Sequence, residues 1–408
     1  MKIAYLTNGF PSAVEAYVRD EIAGLRAHDV EVIACSARRV GVLAADLDNW
    51  REQTLYIQAL RVWVVLRSFV RCCSGCQQLL PFLVRILSGN ESITQRTKAL
   101  VHTWLGVYYA VLLQDTNVDH IHVHHGYFSA WIAMVAARLL GISYSITLHG
   151  SDLLVNAAFL DIKLERCSLC FTISEYNRQV AFNRYPQIPR EKILLRRLGV
   201  DLPAPGPVSS DAVERDHRFI MLAPGRLHAV KDHAFLVSAC AVLRECGFDF
   251  VCFLAGEGPE RKHIQNHIRA QGLERQVKLL GHVAHEDLQA IYGLADLVVL
   301  TSKSEGIPVV LMEAMAHGCA VLAPDITGIP ELVTHGKTGF LYKPGCLGDF
   351  VACIEFVRRS LNGLGPMRRA ARDHVSSYFN RAANLKAFIE VLCTSLCAKD
   401  HNENPVLQ

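Results

Sequence analysis

The 408-residue chain is predicted to be an α/β protein of two doubly wound domains, and three observations carry that expectation. Short apolar runs repeatedly end in a Gly-containing turn that opens an amphipathic helix, as at residues 2–7, Asn8-Gly9-Phe10 and the run that follows. Strand, turn, helix, strand is a βαβ unit, and such units build parallel sheets. The length exceeds what one hydrophobic core organises well, so two or three domains are expected. A stretch with Pro203, Pro205, Gly206, Pro207, Ser209 and Ser210 reads as a linker near the middle. The expected division is residues 1–201, a linker at 202–216, a second domain at 217–375 and a closing helix at 376–400.

Composition narrows the function classes. The net charge is +3 and 51% of residues are hydrophobic, which suits a globular chain and is too neutral to suggest a nucleic-acid partner. Fourteen cysteines are scattered through apolar segments, as free core thiols are. Cys73/Cys76 and Cys167/Cys170 could form two halves of a zinc site, but plain thiols are the expected state. The chain opens on a strand with no preceding secretory signal, so a reducing cytoplasm is expected. No apolar run reaches the ~18 to 20 residues needed to span a bilayer.

In chain order, residues 2–7 form the first strand, followed by a helix with Val14, Tyr17, Val18, Ile22 and Leu25 on one face, then a strand at 30–35. Gly9 serves either the turn alone or close approach of the backbone to a ligand. The turn lacks G-x-G-x-x-G, so no dinucleotide fingerprint is present. Residues 53–114 differ: Leu60, Val62, Trp63, Leu66, Phe69 and Val70 alternate with Arg61, Arg67 and Arg71, and six basic residues accompany a single acid, Glu91. These helices either cover the sheet or lie against an anionic membrane surface. Strands at 118–123 and 142–147 end in His122-Val123-His124-His125-Gly126 and Thr147-Leu148-His149-Gly150-Ser151-Asp152. The clustered His122, His124 and His125 read as packed or hydrogen-bonded side chains. His149, in a Gly-Ser-Asp loop just past a strand, is a site candidate. Strands at 171–173 and 192–196 complete the first half.

The second half opens with a strand at 219–223, then Pro224-Gly225-Arg226-Leu227 and Lys231 before a helix. A Gly turn, two cations and a helix N-terminus can neutralise a diphosphate. Strands at 251–255 and 277–280 lead to Gly256-Glu257-Gly258 and Gly281-His282-Val283, and Asp325-Ile326-Thr327-Gly328 makes another turn. Between them, an apolar strand at 297–300 precedes Ser304-Glu305-Gly306-Ile307-Pro308-Val309, with Glu313 further along the same helix. Gly306 permits a tight turn, Pro308 is expected at the first helical position, and Gly318 should close the helix. Ionised carboxylates only accept hydrogen bonds, so Glu305 and Glu313 suit hydroxyls while the cations suit phosphate. The stretch fits a ligand that is part phosphate and part polyol.

These motifs resemble the signature of retaining GT-B glycosyltransferases of family 4 (glycosyl transferases group 1), exopolysaccharide-type, in which two Glu lie in S-x-x-E-G-x-P-x-x-x-x-E-A-x-A-x-G. Gly225-Arg226-Leu227 with Lys231 matches that family's G-R-L-x-x-x-K segment, and Thr147-x-His149 its T-x-H. Leu198 in Arg197-Leu198-Gly199-Val200-Asp201 replaces an Asn of the family pattern, so that side chain's polar contact is not carried over. The resemblance implies a GT-B fold, two Rossmann-like domains facing a central cleft, with the last helix crossing back to the first. It implies transfer of a hexose from a UDP- or GDP-sugar donor to a carbohydrate or lipid-linked acceptor, in polysaccharide or glycolipid biosynthesis. His149, Glu305, Arg226 and Lys231 would act on the reacting groups. Gly9, Gly225, Gly281, Val283, Gly306, Ile307, Pro308, Val309, Glu313 and Gly328 would contact the nucleotide sugar. No D-x-D run lies within or beside these motifs to hold Mg²⁺, so no cofactor and no metal are expected. The enzyme is expected in the cytoplasm, at the inner membrane face if residues 53–114 touch lipid. Two rivals stay open: a nucleotide-sugar epimerase of the same architecture, and a non-catalytic nucleotide-sugar-binding protein.

Overall fold

The structure is a computed structural model that describes residues 1–12, 15–40, 47–203 and 218–402, with side chains as far as residue 396. Val14, most of the expected linker at 202–216 and the last six residues lie outside the described residues. The chain forms two compact units, residues 1–196 with 385–408, and residues 197–384.

The first unit holds seven parallel strands: β1 (Lys2–Gly9), β2 (Glu31–Arg38), β3 (Leu55–Tyr56), β4 (His120–His124), β5 (Ser143–Leu148), β6 (Leu169–Thr172) and β7 (Ile193–Leu195). Their order is β3-β2-β1-β4-β5-β6-β7, with β1 between β2 and β4. The strands are apolar along most of their length because helices cover both faces. One layer is the nearly fully buried helix Phe128–Leu140, packed with Ile93–Leu113 around Trp131, Tyr108 and Tyr109. Gly106 permits that closeness, since a Cβ there would press into Val135. On the other face, Val18, Ile22 and Leu25 of helix Ala16–Ala27 meet Phe388, Ile389 and Leu392 of the closing helix, Arg381–Asn402. That helix thus leaves the second unit and joins the first from Leu385 onward.

The second unit has six parallel strands: β8 (Phe219–Pro224), β9 (Phe250–Ala255), β10 (Val277–Gly281), β11 (Leu297–Val299), β12 (Ala320–Pro324) and β13 (Phe340–Tyr342). Their order, β10-β9-β8-β11-β12-β13, repeats the pattern of the first sheet. In each sheet the strand order reverses beside the first strand: β1 next to β4, and β8 next to β11. Ligands of open α/β sheets bind outside the carboxyl ends of the strands at such a reversal.

Two local expectations need correction. Residues 53–114 are not wholly helical, because Leu55–Tyr56 pairs with Cys35 and Ser36 as a short edge strand. Pro308 is not the first helical residue. Its ψ of 115° is extended, so it caps a helix that runs Val309–Ala316. The described cysteines are all free thiols, and Cys73, Cys76, Cys167 and Cys170 do not converge on a metal-binding cluster. Among the described residues no helix is long and apolar enough to cross a membrane.

Candidate active site

At the reversal point of the second unit, β8 ends at Pro224 and the chain turns through Gly225 at φ +155°. Gly256, after β9, packs against this turn so closely that a Cβ would overlap the Gly225 carbonyl. Gly281 ends β10 with its carbonyl accepting from Gly256 N at 2.8 Å, and Val283 behind it is partly buried against the neighbouring core. Three successive strand ends are thereby drawn into one compact edge. Leu227 anchors the turn in the core while Arg226 points outward, exposed and with no ion pair among the described residues.

Lys231 closes a short 3-10 turn before helix His233–Glu245. The Thr301 hydroxyl donates to the Lys231 carbonyl at 2.9 Å, and Lys303 N donates to the Val230 carbonyl at 2.8 Å. These bonds fasten the β8 loop to the β11 loop. Across that seam Lys231 Nζ meets Glu305 Oε1 at 2.6 Å, both side chains largely buried. The Glu305 carbonyl accepts from Thr327 Oγ1 at 2.6 Å. Gly328 lies against Gly306, whose carbonyl would collide with any Cβ there, so the β11 and β12 loops also interlock. Ile307 is buried and seats the loop, and Pro308 caps the helix that Val309 begins. Helix geometry leaves the N–H groups of its first turn without intrahelical partners.

Glu313, one to two turns in, accepts a hydrogen bond from the Tyr292 hydroxyl at 3.0 Å, and His285 Nδ1 stands 3.6 Å from its other oxygen. Burial raises its pKa above the ordinary carboxylate value, against the opposing pull of His285, Tyr292, Arg381 and His317. Tyr292 and His285 were not legible as site residues, since nothing in the local sequence ties them to a Glu more than twenty positions away.

The first unit carries a different construction. Asp152, wholly buried, accepts from the backbone N–H groups of His149, Gly150 and Gly126 at 2.9 to 3.1 Å. It therefore stitches the loops after β4 and β5 together. Lys163, also buried, donates to the carbonyls of Gly126, Tyr127 and Ala158 at 2.7 to 3.0 Å, and burial pulls its pKa down to about 7. Held by these loops, the His149 ring stacks on Tyr17 with centroids 5.0 Å apart and lies 4.4 Å from the His125 ring. Its Nε2 is 2.8 Å from His124 Nδ1. Burial first, then positive charge on neighbours such as His125 and Arg196, push the His149 pKa well below the usual value, so the ring is neutral. For His125 burial acts downward, but the hydrogen bond to Glu15 and the charge of Asp152 outweigh it and raise the pKa. Gly9 ends β1 opposite Arg38.

Beneath His149, Glu21, His122 and His124 bring possible ligand atoms within 4.8 Å of one another. Those atoms are already engaged. His122 bonds Ser145 and Thr147 through its two nitrogens, His124 bonds His149 and Glu21, and Arg196 pairs with Glu21 at 2.5 Å. A buried guanidinium beside the carboxylate disfavours a further cation, so the set fits a hydrogen-bonded cluster better than a metal centre. A sequence signal for Glu21 existed: it falls on the same helical stripe as Val18, Ile22 and Leu25.

Two reversal-point sites on two parallel sheets, the second with cations, carboxylates and interlocked Gly turns, define a GT-B glycosyltransferase scaffold. Residues 209–360 match the family model described as glycosyl transferases group 1. The chain is 32% identical over 423 residues to a putative colanic acid biosynthesis glycosyltransferase, WcaL, of Salmonella typhimurium, covering 97% of this chain and 100% of that protein. The chain belongs to the glycosyl transferases group 1 family. It is also 30% identical over 210 residues to the amylovoran biosynthesis glycosyltransferase AmsK of Erwinia amylovora; that match spans 50% of this chain and about half, 51%, of the relative. Among solved structures, Anabaena HepE in complex with UDP superposes with a TM-score of 0.70 at 21% identity, over 97% of this chain and 100% of that one. That likeness shows the fold.

Proposed function

We propose that the protein transfers a hexose from a nucleotide diphosphate sugar to a hydroxyl acceptor, with retention at the anomeric carbon, in polysaccharide or glycolipid biosynthesis. The observation that carries this reading is the Lys231–Glu305 pair at the second unit's reversal point, beside exposed Arg226 and the helix starting at Val309. Departure of the nucleoside diphosphate adds negative charge to its phosphate, and preorganised cations lower the barrier where that charge grows. Arg226 and Lys231 hold the diphosphate, assisted by the backbone N–H groups of Gly306, Ile307 and Val309, while Pro308, which has no N–H, shapes the turn beside them. Glu313, set by Tyr292, accepts from ribose hydroxyls; Glu305 accepts from hydroxyls of the donor sugar. Gly225, Gly281, Val283 and Gly328 border the nucleotide, and Gly9 the sugar. His149 orients the donor sugar. AmsK is named as an amylovoran biosynthesis glycosyltransferase and WcaL as a putative colanic acid biosynthesis glycosyltransferase, which favours transfer over the epimerase and binding-only readings. HepE was crystallised with UDP, which supports a UDP-sugar as donor.

The cations do the work of a metal in this scheme, so the reaction needs none. Thermal-shift screening of UDP- and GDP-sugars, followed by NMR of the anomeric proton of the product with EDTA present, tests the whole reading. Stabilisation by one donor and a retained anomer are expected. Release of an epimer without acceptor, inversion, or complete loss of activity in EDTA contradicts it.

A second reading concerns the acceptor side. Helices Val62–Ser74, Cys76–Ser88 and Ile93–Leu113 expose Val62, Trp63, Leu66, Phe69, Val70, Leu80, Val84, Leu87 and Ile93, with Val62 at 77% and Ile93 at 82%. Isolated apolar residues on a surface are ordinary, but nine strongly exposed ones on three successive helices favour an interaction face. Much of the basic charge is spent within the unit: Arg85 pairs with Glu91 and Asp161, and Arg71 and Arg96 bond backbone carbonyls. Apolar insertion therefore outweighs charge, and the face suits a membrane carrying a lipid-linked acceptor. Flotation with anionic vesicles should recover the protein at low salt and retain most of it at high salt; no binding at low salt overturns this reading.

A further inference from the structure

Burial of four imidazoles, a carboxylate and a guanidinium in one cluster of the first unit raises the question of where the protons sit. The Glu21 carboxyl is completely buried, pairs with Arg196 at 2.5 Å and accepts from the Tyr5 hydroxyl. An ionised carboxylate has no proton to give, so the 2.9 Å contact between its Oε2 and His124 Nε2 places a proton on His124 Nε2. The 2.8 Å contact between His124 Nδ1 and His149 Nε2 then needs one further proton. If it belonged to His124, that ring would be a cation. The Glu21 charge is already matched by Arg196, and an extra positive charge on His124 would sit among His122, His125 and His149 with no second carboxylate in hydrogen-bond contact with it among the described residues. Desolvation makes that arrangement costly. The proton accordingly belongs to His149 Nε2, and His149 Nδ1 is bare. That nitrogen makes no hydrogen bond among the described residues, and the ring is half-buried.

We propose that Glu21 and His124 are positioning residues that fix His149 as the neutral Nε2–H tautomer, so that it presents a bare Nδ1, a pure acceptor, to its ligand. The group it reads is therefore a hydrogen-bond donor, a hydroxyl of the sugar, rather than an oxo or phosphate oxygen. This rests on the reading above that His149 faces the donor sugar. Tyr17 and His125 hold the plane of the ring, and Asp152 holds its backbone; the chain from Arg196 through Glu21 and His124 sets only which nitrogen carries the proton.

The test is nitrogen-15 NMR of histidine-labelled full-length protein near pH 7, with His149 assigned by difference from His149→Gln. The expected wild-type spectrum shows His149 neutral, its proton on Nε2, shifted downfield by the bond to His124 and slow to exchange. In Glu21→Gln the amide can donate to His124 Nε2 and reverse the chain, so the bare-nitrogen signal of His149 shifts from Nδ1 toward Nε2. A wild-type His149 with its proton on Nδ1, or a doubly protonated one, overturns the proposal without any variant having to fold. A folded Glu21→Gln protein with an unchanged His149 signal overturns it as well. The measurement uses no donor, so it is separable from the functional reading: undiminished sugar transfer by His149→Ala would refute His149's role in the reaction while leaving its tautomer as measured.

Discussion

The two sheets share a strand order and put their loops at the same reversal point, yet they furnish it in opposite ways. In the first unit the polar groups are committed to one another: Asp152 to three N–H groups, Lys163 to three carbonyls, and Glu21 to Arg196, Tyr5 and His124. In the second unit Arg226 has no ion pair among the described residues, Lys231 and Glu305 form one bridge, and glycines bring backbone close together. Shared topology thus supplies a place, and the side chains decide its use. The first site aims one neutral ring with a rigid support, whereas the second leaves charge available for a ligand that brings its own.

The largest effect expected on this contrast is at the cations. Arg226→Ala and Lys231→Ala should each lower kcat/KM by roughly 100- to 1000-fold, about 3 to 4 kcal/mol, as loss of a preorganised donor to a developing anion does. Steady-state kinetics with melting temperatures unchanged would sharpen the contrast; wild-type kcat/KM in either variant would break it.

Lys163→Met should act in the reverse sense, on stability rather than on chemistry. It strands three buried carbonyls, at about 1 kcal/mol each, so a loss of about 2 to 3 kcal/mol in denaturant unfolding is expected. The sign of its pH dependence follows from a folded pKa near 7, below the ordinary ~10.4 of an unfolded Lys. Between those values the unfolded chain binds the extra proton, so this lysine's contribution becomes more favourable as pH rises. The gap between wild type and variant should therefore widen from pH 7 to 9, by at most about 1.4 kcal/mol per unit. A gap that narrows would show that Lys163 is not desolvated as described.

The smallest effect is at Glu313. Its carboxyl accepts most strongly from hydroxyls when ionised, and burial holds its pKa above the ordinary carboxylate range. Nucleotide affinity in the wild type should fall as pH drops toward that raised value, earlier than for an exposed Glu near ~4.3. Glu313→Gln should bind about 10-fold more weakly near pH 7, the order of one hydrogen bond to a charged group, and lose that acid limb. Calorimetric titration across pH separates the two; an identical acid limb in the variant would assign the titration elsewhere.

What was legible in the sequence was whatever is local. Strand positions followed from apolar runs, and Arg226, Lys231, Glu305 and Glu313 stood out because each lies in a short motif whose Gly and Pro have their own geometric reasons. The edge strand Leu55–Tyr56 was invisible, being two residues long and defined only by its partner. Pro308 was misplaced by one position because its fixed φ fits both an N-cap and a first helical residue, and ψ separates the two. Tyr292 reaches Glu313, and Arg196 reaches Glu21, only after separate βα units have packed, so no spacing rule could pair them. The histidines at the end of β4 read correctly as hydrogen-bonded, but the direction of their chain needed Glu21, which is about a hundred residues away.

The most direct test of the second unit's role is calorimetric binding of UDP and uridine, with GDP and guanosine in parallel, to wild type and to the Arg226→Ala/Lys231→Ala double variant. The account predicts that in wild type one diphosphate binds far more tightly than its own nucleoside, and that the double variant loses most of this difference while still folding. Equal diphosphate affinity in the two proteins would contradict it.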